Sequence, residues 1–142
     1  MRVPLIVIDT NVFVSALKSQ KGASHQLLLL IGKDKFVSCL SVPLVIEYEK
    51  AAKSVCQGPQ FHSTDIDDII DYMVSVSRRI DVYYLWRPFL RDPKDDMVLE
   101  VGVAAQCDHI VTFNKRDFHG VERFGISLLT PQEVLKKLGG RP

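Results

Sequence analysis

The sequence predicts an α/β fold built on a parallel sheet, in three layers, α/β/α. Three observations carry that expectation. Residues 3–8 form a continuous apolar run that stops at the polar triplet Asp9-Thr10-Asn11, the pattern of a central parallel strand buried on both faces. Short β-type runs then alternate with segments of helical apolar spacing to the end of the chain, as βα units do. Helix-start signals recur, and Thr130-Pro131-Gln132-Glu133 is the most complete, a capping box with proline at the first helical position.

Taken in order, residues 11–18 place Val12, Phe13, Ala16 and Leu17 at helical spacing, and residues 24–31 suggest a second helix stopped by Gly32. Residues 36–40 are the second expected strand. Ser41 is positioned to cap a helix that begins near Pro43, carries Glu47 and runs towards Lys53. Thr64 is the expected cap of the next helix, with Asp65, Asp67 and Asp68 in the favoured first turn and Ile66, Ile69, Ile70, Met73 and Val74 as its apolar stripe. Residues 81–85 read as a short strand, and 91–94 as a turn around Asp92-Pro93. A helix with an unusually apolar body follows to Gln106, then a strand at 109–112, a polar loop to Asp117, a strand at 127–129 and the C-terminal helix.

The 142 residues suit one compact domain, 1–142, without a linker or repeat. With 46% hydrophobic and 25% charged residues, the composition supports a core without disulfides. Cys39, Cys56 and Cys107 are odd in number and far apart, which fits reduced thiols in a cytoplasmic protein. No CxxC or CxxH pair is present, which argues against structural zinc. The longest apolar run, residues 27–31, cannot span a bilayer, so no membrane role is expected, and the N-terminal run reads as a buried strand rather than a leader. A net charge of +1 leaves nucleic acid open as a partner, because basic residues can cluster at one cleft.

In a parallel sheet the ligand site lies beyond the carboxyl ends of the strands. That rule singles out Asp9, after the first strand, and Asp117, after the strand at 109–112. Glu47 and Asp96 sit early in helices that open towards the same edge. Each acid has a plainer reading alone: Asp9 as a helix cap, Glu47 as a solvated residue, Asp96 as a dipole partner, Asp117 as a turn acid. Together they suggest a cation site, because unpaired carboxylates in one cleft repel one another and a divalent ion removes the conflict. An oxygen-only ligand set favours Mg²⁺ or Mn²⁺.

Three segments carry a family resemblance. Ile8-Asp9-Thr10-Asn11-Val12-Phe13 resembles the opening of PIN-domain ribonucleases. The stretch Asp92-Pro93-Lys94-Asp95-Asp96-Met97-Val98-Leu99-Glu100 is similar to their third acidic motif, in the VapC-like branch of toxin components of toxin–antitoxin systems. Ile110-Val111-Thr112-Phe113-Asn114-Lys115-Arg116-Asp117-Phe118 is similar to their closing motif, and Asp96 precedes Thr112 by 16 positions, as the family spacing requires. The resemblance covers nearly the whole chain and implies a sheet ordered 3-2-1-4-5. It implies a metal-dependent endoribonuclease that cuts single-stranded or loop RNA with metal-activated water, leaving a 5′-phosphate and a 3′-hydroxyl.

By that resemblance Asp9, Asp96 and Asp117 match the metal-binding acids, and Glu47 matches a fourth by position. Glu49 competes with Glu47, but lies roughly 200° around the helix, so only one of the two can face the cleft. Thr10, Asn11, Thr112 and Asn114 match positions that orient the carboxylates by hydrogen bonds. Asn114 stands where some members have Asp, which lowers the negative charge of the site. Lys115, Arg116 and Arg91 are candidates for holding the RNA backbone. Expected partners are RNA, an antitoxin protein and a second copy in a homodimer. The rival readings are a metal- or RNA-binding module that does not cut, and an Asp-dependent phosphatase or phosphotransfer domain. The latter would want Asp-x-Asp or an acidic pair near the first strand, and the chain has Asp9-Thr10-Asn11.

Overall fold

The computed structural model describes residues 3–82 and 89–139. Strand β1 (Leu5–Ile8) lies at the centre of a five-stranded sheet ordered β3-β2-β1-β4-β5. Its neighbours are β2 (Val37–Leu40) and β4 (His109–Val111), with β3 (Arg78–Arg79) and β5 (Ser127–Leu129) at the edges, and every pairing is parallel. The expected order is therefore observed. Ile6, Val7 and Ile8 are all at most 3% exposed although they alternate between faces. The sheet is thus covered on both sides, which is why β1 reads as unbroken apolar sequence.

The helices are α1 (Thr10–Lys18), α2 (Ala23–Leu29), α3 (Val42–Val55), α4 (Ser63–Val76), α5 (Pro93–Ala104) and α6 (Pro131–Lys137). Two 3₁₀ turns, Lys115–Phe118 and Val121–Phe124, join β4 to β5. Helix α3 starts as its sequence dictates: Ser41 Oγ accepts from Leu44 N at 3.3 Å, with proline in the first turn. The capping box of α6 is complete, Thr130 N donating to Glu133 Oε1 at 2.8 Å and Glu133 N to Thr130 Oγ1 at 3.2 Å. Helix α5 buries Val98, Leu99 and Val101 completely and crosses the centre of the sheet. Gly102 permits that approach, since a Cβ there would meet Ile126 Cδ1 at 3.1 Å. All three cysteines are buried free thiols.

Two boundaries differ from expectation. The third strand lies at Arg78–Arg79, paired with Cys39 and Leu40, ahead of the expected 81–85; residues 81 and 82 are not in a strand, and 83–85 fall outside the described residues. A two-residue exposed edge strand needs no apolar alternation, so its sequence carried no β signal. Helix α4 begins one residue before Thr64, and its N-cap position is His62, which makes no side-chain capping bond.

Candidate metal centre

The carboxyl ends of β1 and β4 are clamped side by side. Asp9 N donates to Val111 O at 2.9 Å, and Thr112 N to Leu129 O at 2.9 Å. The register of the sheet thus sets Asp9 beside Thr112, whose hydroxyl donates to Asp9 Oδ2 at 2.7 Å. Asn114 N donates to that hydroxyl oxygen at 3.0 Å, which orients its proton towards Asp9. Thr10 N donates to Asp9 Oδ1 at 2.8 Å, so Asp9 is both an α1 capping residue and a site acid. One bond per oxygen leaves lone pairs on both for a further partner. Below it, Tyr48 on α3 stacks on Phe13 with ring centroids 4.9 Å apart and donates its hydroxyl to Ile8 O. These contacts fix the end of β1 from three sides.

Around Asp9 opens a cleft of about 360 Å³ whose acids are Asp9, Glu47, Asp92, Asp95 and Asp117. Thr10, Asn11 and Asn114 also line it. Glu47 is 6% exposed and faces this cleft, whereas Glu49 turns outward to Lys53 at 3.3 Å, so the choice between them falls to Glu47. Lys94 Nζ reaches to 3.8 Å from Glu47 Oε2 across the opening.

The placement of Asp96 differs from expectation. It is 1% exposed, accepts from Leu90 N at 2.9 Å through Oδ1, and does not line the cleft. Its neighbour Asp95 takes the cleft wall, together with Asp92, the N-cap of α5 whose side chain accepts from Lys94 N. The cause is helix phase. Asp92 caps and Pro93 opens α5, which sets residue 95 towards the strand ends and turns residue 96, about 100° further round, into the protein. The spacing of 16 positions to Thr112 selects Asp96, but spacing counts residues and not helix phase, and the clue to phase in the sequence was the Asp92-Pro93 cap.

The basic candidates also separate. Lys115 Nζ sits 2.7 Å from Glu133 Oε1, so it braces the start of α6. Arg91 and Arg116 line a second depression that shares Asp117 with the cleft. Trp86 and Arg87, just before the third acidic segment, and Arg141, after the last helix, fall outside the described residues.

The electrostatics match a site short of positive charge. Burial raises the Asp9 carboxyl to about 6, against the bonds from Thr112 and Thr10 and with help from the charges of Asp117 and Asp92. Burial also raises Asp95 to about 7, assisted by Asp9, Asp92, Asp117 and Asp96. Asn11 Oδ1 and Thr10 Oγ1 are buried without a hydrogen-bond partner beside these acids. Among the described residues no three acids stand at metal-holding spacing. Oxygen donors of this kind and number fit a hard divalent cation such as Mg²⁺ or Mn²⁺.

A fully parallel α/β/α sheet with clustered acids at its switch edge defines a class of proteins that handle charged ligands over their strand ends. The PIN-domain family model matches residues 5–116, and the chain belongs to that family, whose members are generally nucleases. The fold is similar to a chain of VapBC2 from Rickettsia felis in a crystal structure bound to a DNA fragment from their promoter. That match has a TM-score of 0.60 at 14% identity and covers 89% of this chain and 98% of the other. No curated protein matches the sequence.

Proposed function

We propose that this protein is a Mg²⁺- or Mn²⁺-dependent endoribonuclease that cuts single-stranded or loop RNA, and that it acts as the toxin of a toxin–antitoxin pair. The observation that carries the reading is the cleft itself. Asp9, Glu47, Asp95 and Asp117 converge from four elements on the strand-end edge of the sheet, and two of them hold protons too tightly for ordinary surface carboxylates. Such a cluster is costly to stability and is explained by a cation that the fold is built to receive. The toxin role is supported by the PIN family and by the structural likeness to a chain of VapBC2.

In this reading Asp9, Asp95 and Asp117 would hold the cation, with Glu47 at the far wall. Thr112 and Thr10 keep the Asp9 carboxylate aimed at the cleft, and Asp96 keeps its own oxygen on Leu90 N, fixing the loop that enters α5. When bound, the metal supplies an acidified water and neutralises charge on a phosphate oxygen. Lys94, exposed and 3.8 Å from Glu47 Oε2, would be free to turn to the substrate backbone once a cation shared that carboxylate. An antitoxin and a second copy of the chain are the expected protein partners. The exposed apolar residues Ile46 and Val55 on α3, and Leu29 and Tyr72 on α2 and α4, offer surface for them.

The test is cleavage of labelled single-stranded RNA with Mg²⁺ or Mn²⁺. Wild type should cut, and chelator, Asp9→Asn and Asp117→Asn should each reduce the rate by at least two orders of magnitude. Cutting that ignores chelator, or survives Asp9→Asn, contradicts the mechanism.

A further inference from the structure

Beside the acidic cleft, and joined to it through Asp117, lies a depression of about 290 Å³ lined by Phe89, Leu90, Arg91, Arg116 and His119. Its composition is opposite in sign to that of the cleft. Among the described residues neither Arg91 nor Arg116 has an ion-pair partner, although Lys115, next in sequence, is held by Glu133. Phe89 is fixed rather than loose: its ring meets Phe124 edge-on at 5.4 Å between centroids, and Arg123 sits 5.6 Å over it. Gly120 lies at the tip of that ring, where a Cβ would stand 3.7 Å from Phe89 Cζ. The depression is therefore lined by an aromatic ring held in place by Arg123 and Phe124, and by two guanidinium groups without an ion-pair partner among the described residues.

That combination suits a single nucleotide. Guanidinium groups grip phosphate by paired N–H donors, and an aromatic ring accepts any base by stacking. The volume is at the lower end of ligand-sized cavities, too small for a duplex and sufficient for one nucleoside phosphate. Because the two depressions share the Asp117 wall, a strand whose scissile phosphate meets the acids can lay its adjoining nucleotide in this one. We propose that the Phe89–Arg91–Arg116 depression is the binding subsite for the nucleotide next to the cut, Phe89 stacking its base on the face away from Arg123 and the two arginines holding its phosphate. The inference rests on the nuclease reading for its register relative to the cut, but not for the binding itself.

The experiment measures binding of a short fluorescein-labelled oligoribonucleotide, in chelator, to the full chain carrying Asp9→Asn so that nothing is cut. Arg91→Gln and Arg116→Gln are each expected to weaken binding several-fold. Each should also flatten the dependence of log K on log salt by about 0.7, the value for one phosphate contact on a single strand. Phe89→Leu should cost roughly tenfold on the intact oligonucleotide, and nothing on one with an abasic residue at the contacted position. In the cutting protein the arginine variants should raise KM and leave the metal requirement unchanged. Affinity and salt slope within twofold of the parent in both arginine variants would overturn the subsite. If Phe89→Leu lowers the melting temperature, the exposed arginines decide the question alone. Loss of binding in these variants together with cutting that survives Asp9→Asn would uphold the subsite and remove the nuclease mechanism instead.

Discussion

Asp95 and Asp96 are adjacent and chemically identical, yet the fold gives them different work. Asp96 satisfies a buried backbone N–H of Leu90, and Asp95 stands in the cleft at about 7. Asp96→Ala leaves that N–H without a partner and should cost about 1–3 kcal/mol of stability, seen as a lower denaturation midpoint in urea. Asp95→Asn removes one of several crowded negative charges, so the metal-free protein should be as stable or more so, while affinity for Mn²⁺ falls. A urea titration and a metal titration of both variants separate the roles; the reverse pattern would return Asp96 to the cleft. That Asp9 and Asp117 border one cleft was legible from sequence because both follow strands, and that only one of Glu47 and Glu49 could join them followed from the roughly 200° between them on the helix. Asp95 was hidden because spacing counts residues and not helix phase, and the phase is set by the Asp92 cap.

At the scale of elements, the strong local signals became structure: the Ser41 cap, the Thr130–Glu133 box and the buried β1 run. Where local signal was absent, expectation drifted. The edge strand Arg78–Arg79 is held by β2 alone and owes nothing to its own composition. Helix α6 couples the fold to the site, because Glu133 serves both its cap and Lys115. Glu133→Gln keeps an acceptor for Thr130 N but breaks the half-exposed ion pair, and should cost less than about 1 kcal/mol. Thr130→Ala removes the cap itself and should cost about 1 kcal/mol or more. Thermal denaturation of the two variants distinguishes cap from charge.

At the scale of the whole molecule, the cleft makes stability depend on pH in a specific direction. Asp9 and Asp95 hold their protons up to about 6 and about 7, above the ordinary 3.8, so the folded chain binds more protons than the unfolded one between these values. Stability is therefore full below about pH 4 with respect to these groups, and is lost as pH rises through 6 and 7. For Asp9 the loss is on the order of 3 kcal/mol. Denaturant midpoints of the metal-free protein should fall between about pH 4 and pH 7, opposite to a protein whose acids are paired, and Mg²⁺ should restore stability most at the upper end. The all-parallel order, with β1 central, is what brings acids from distant segments to one edge. The measurement that bears most directly on the account is calorimetric titration of Mn²⁺ into wild type, Asp9→Asn and Asp95→Asn at neutral pH. Saturable binding to wild type that is lost or weakened at least tenfold in both variants is the predicted result. Binding that is equally tight in all three would place the metal elsewhere and contradict the cleft as its site.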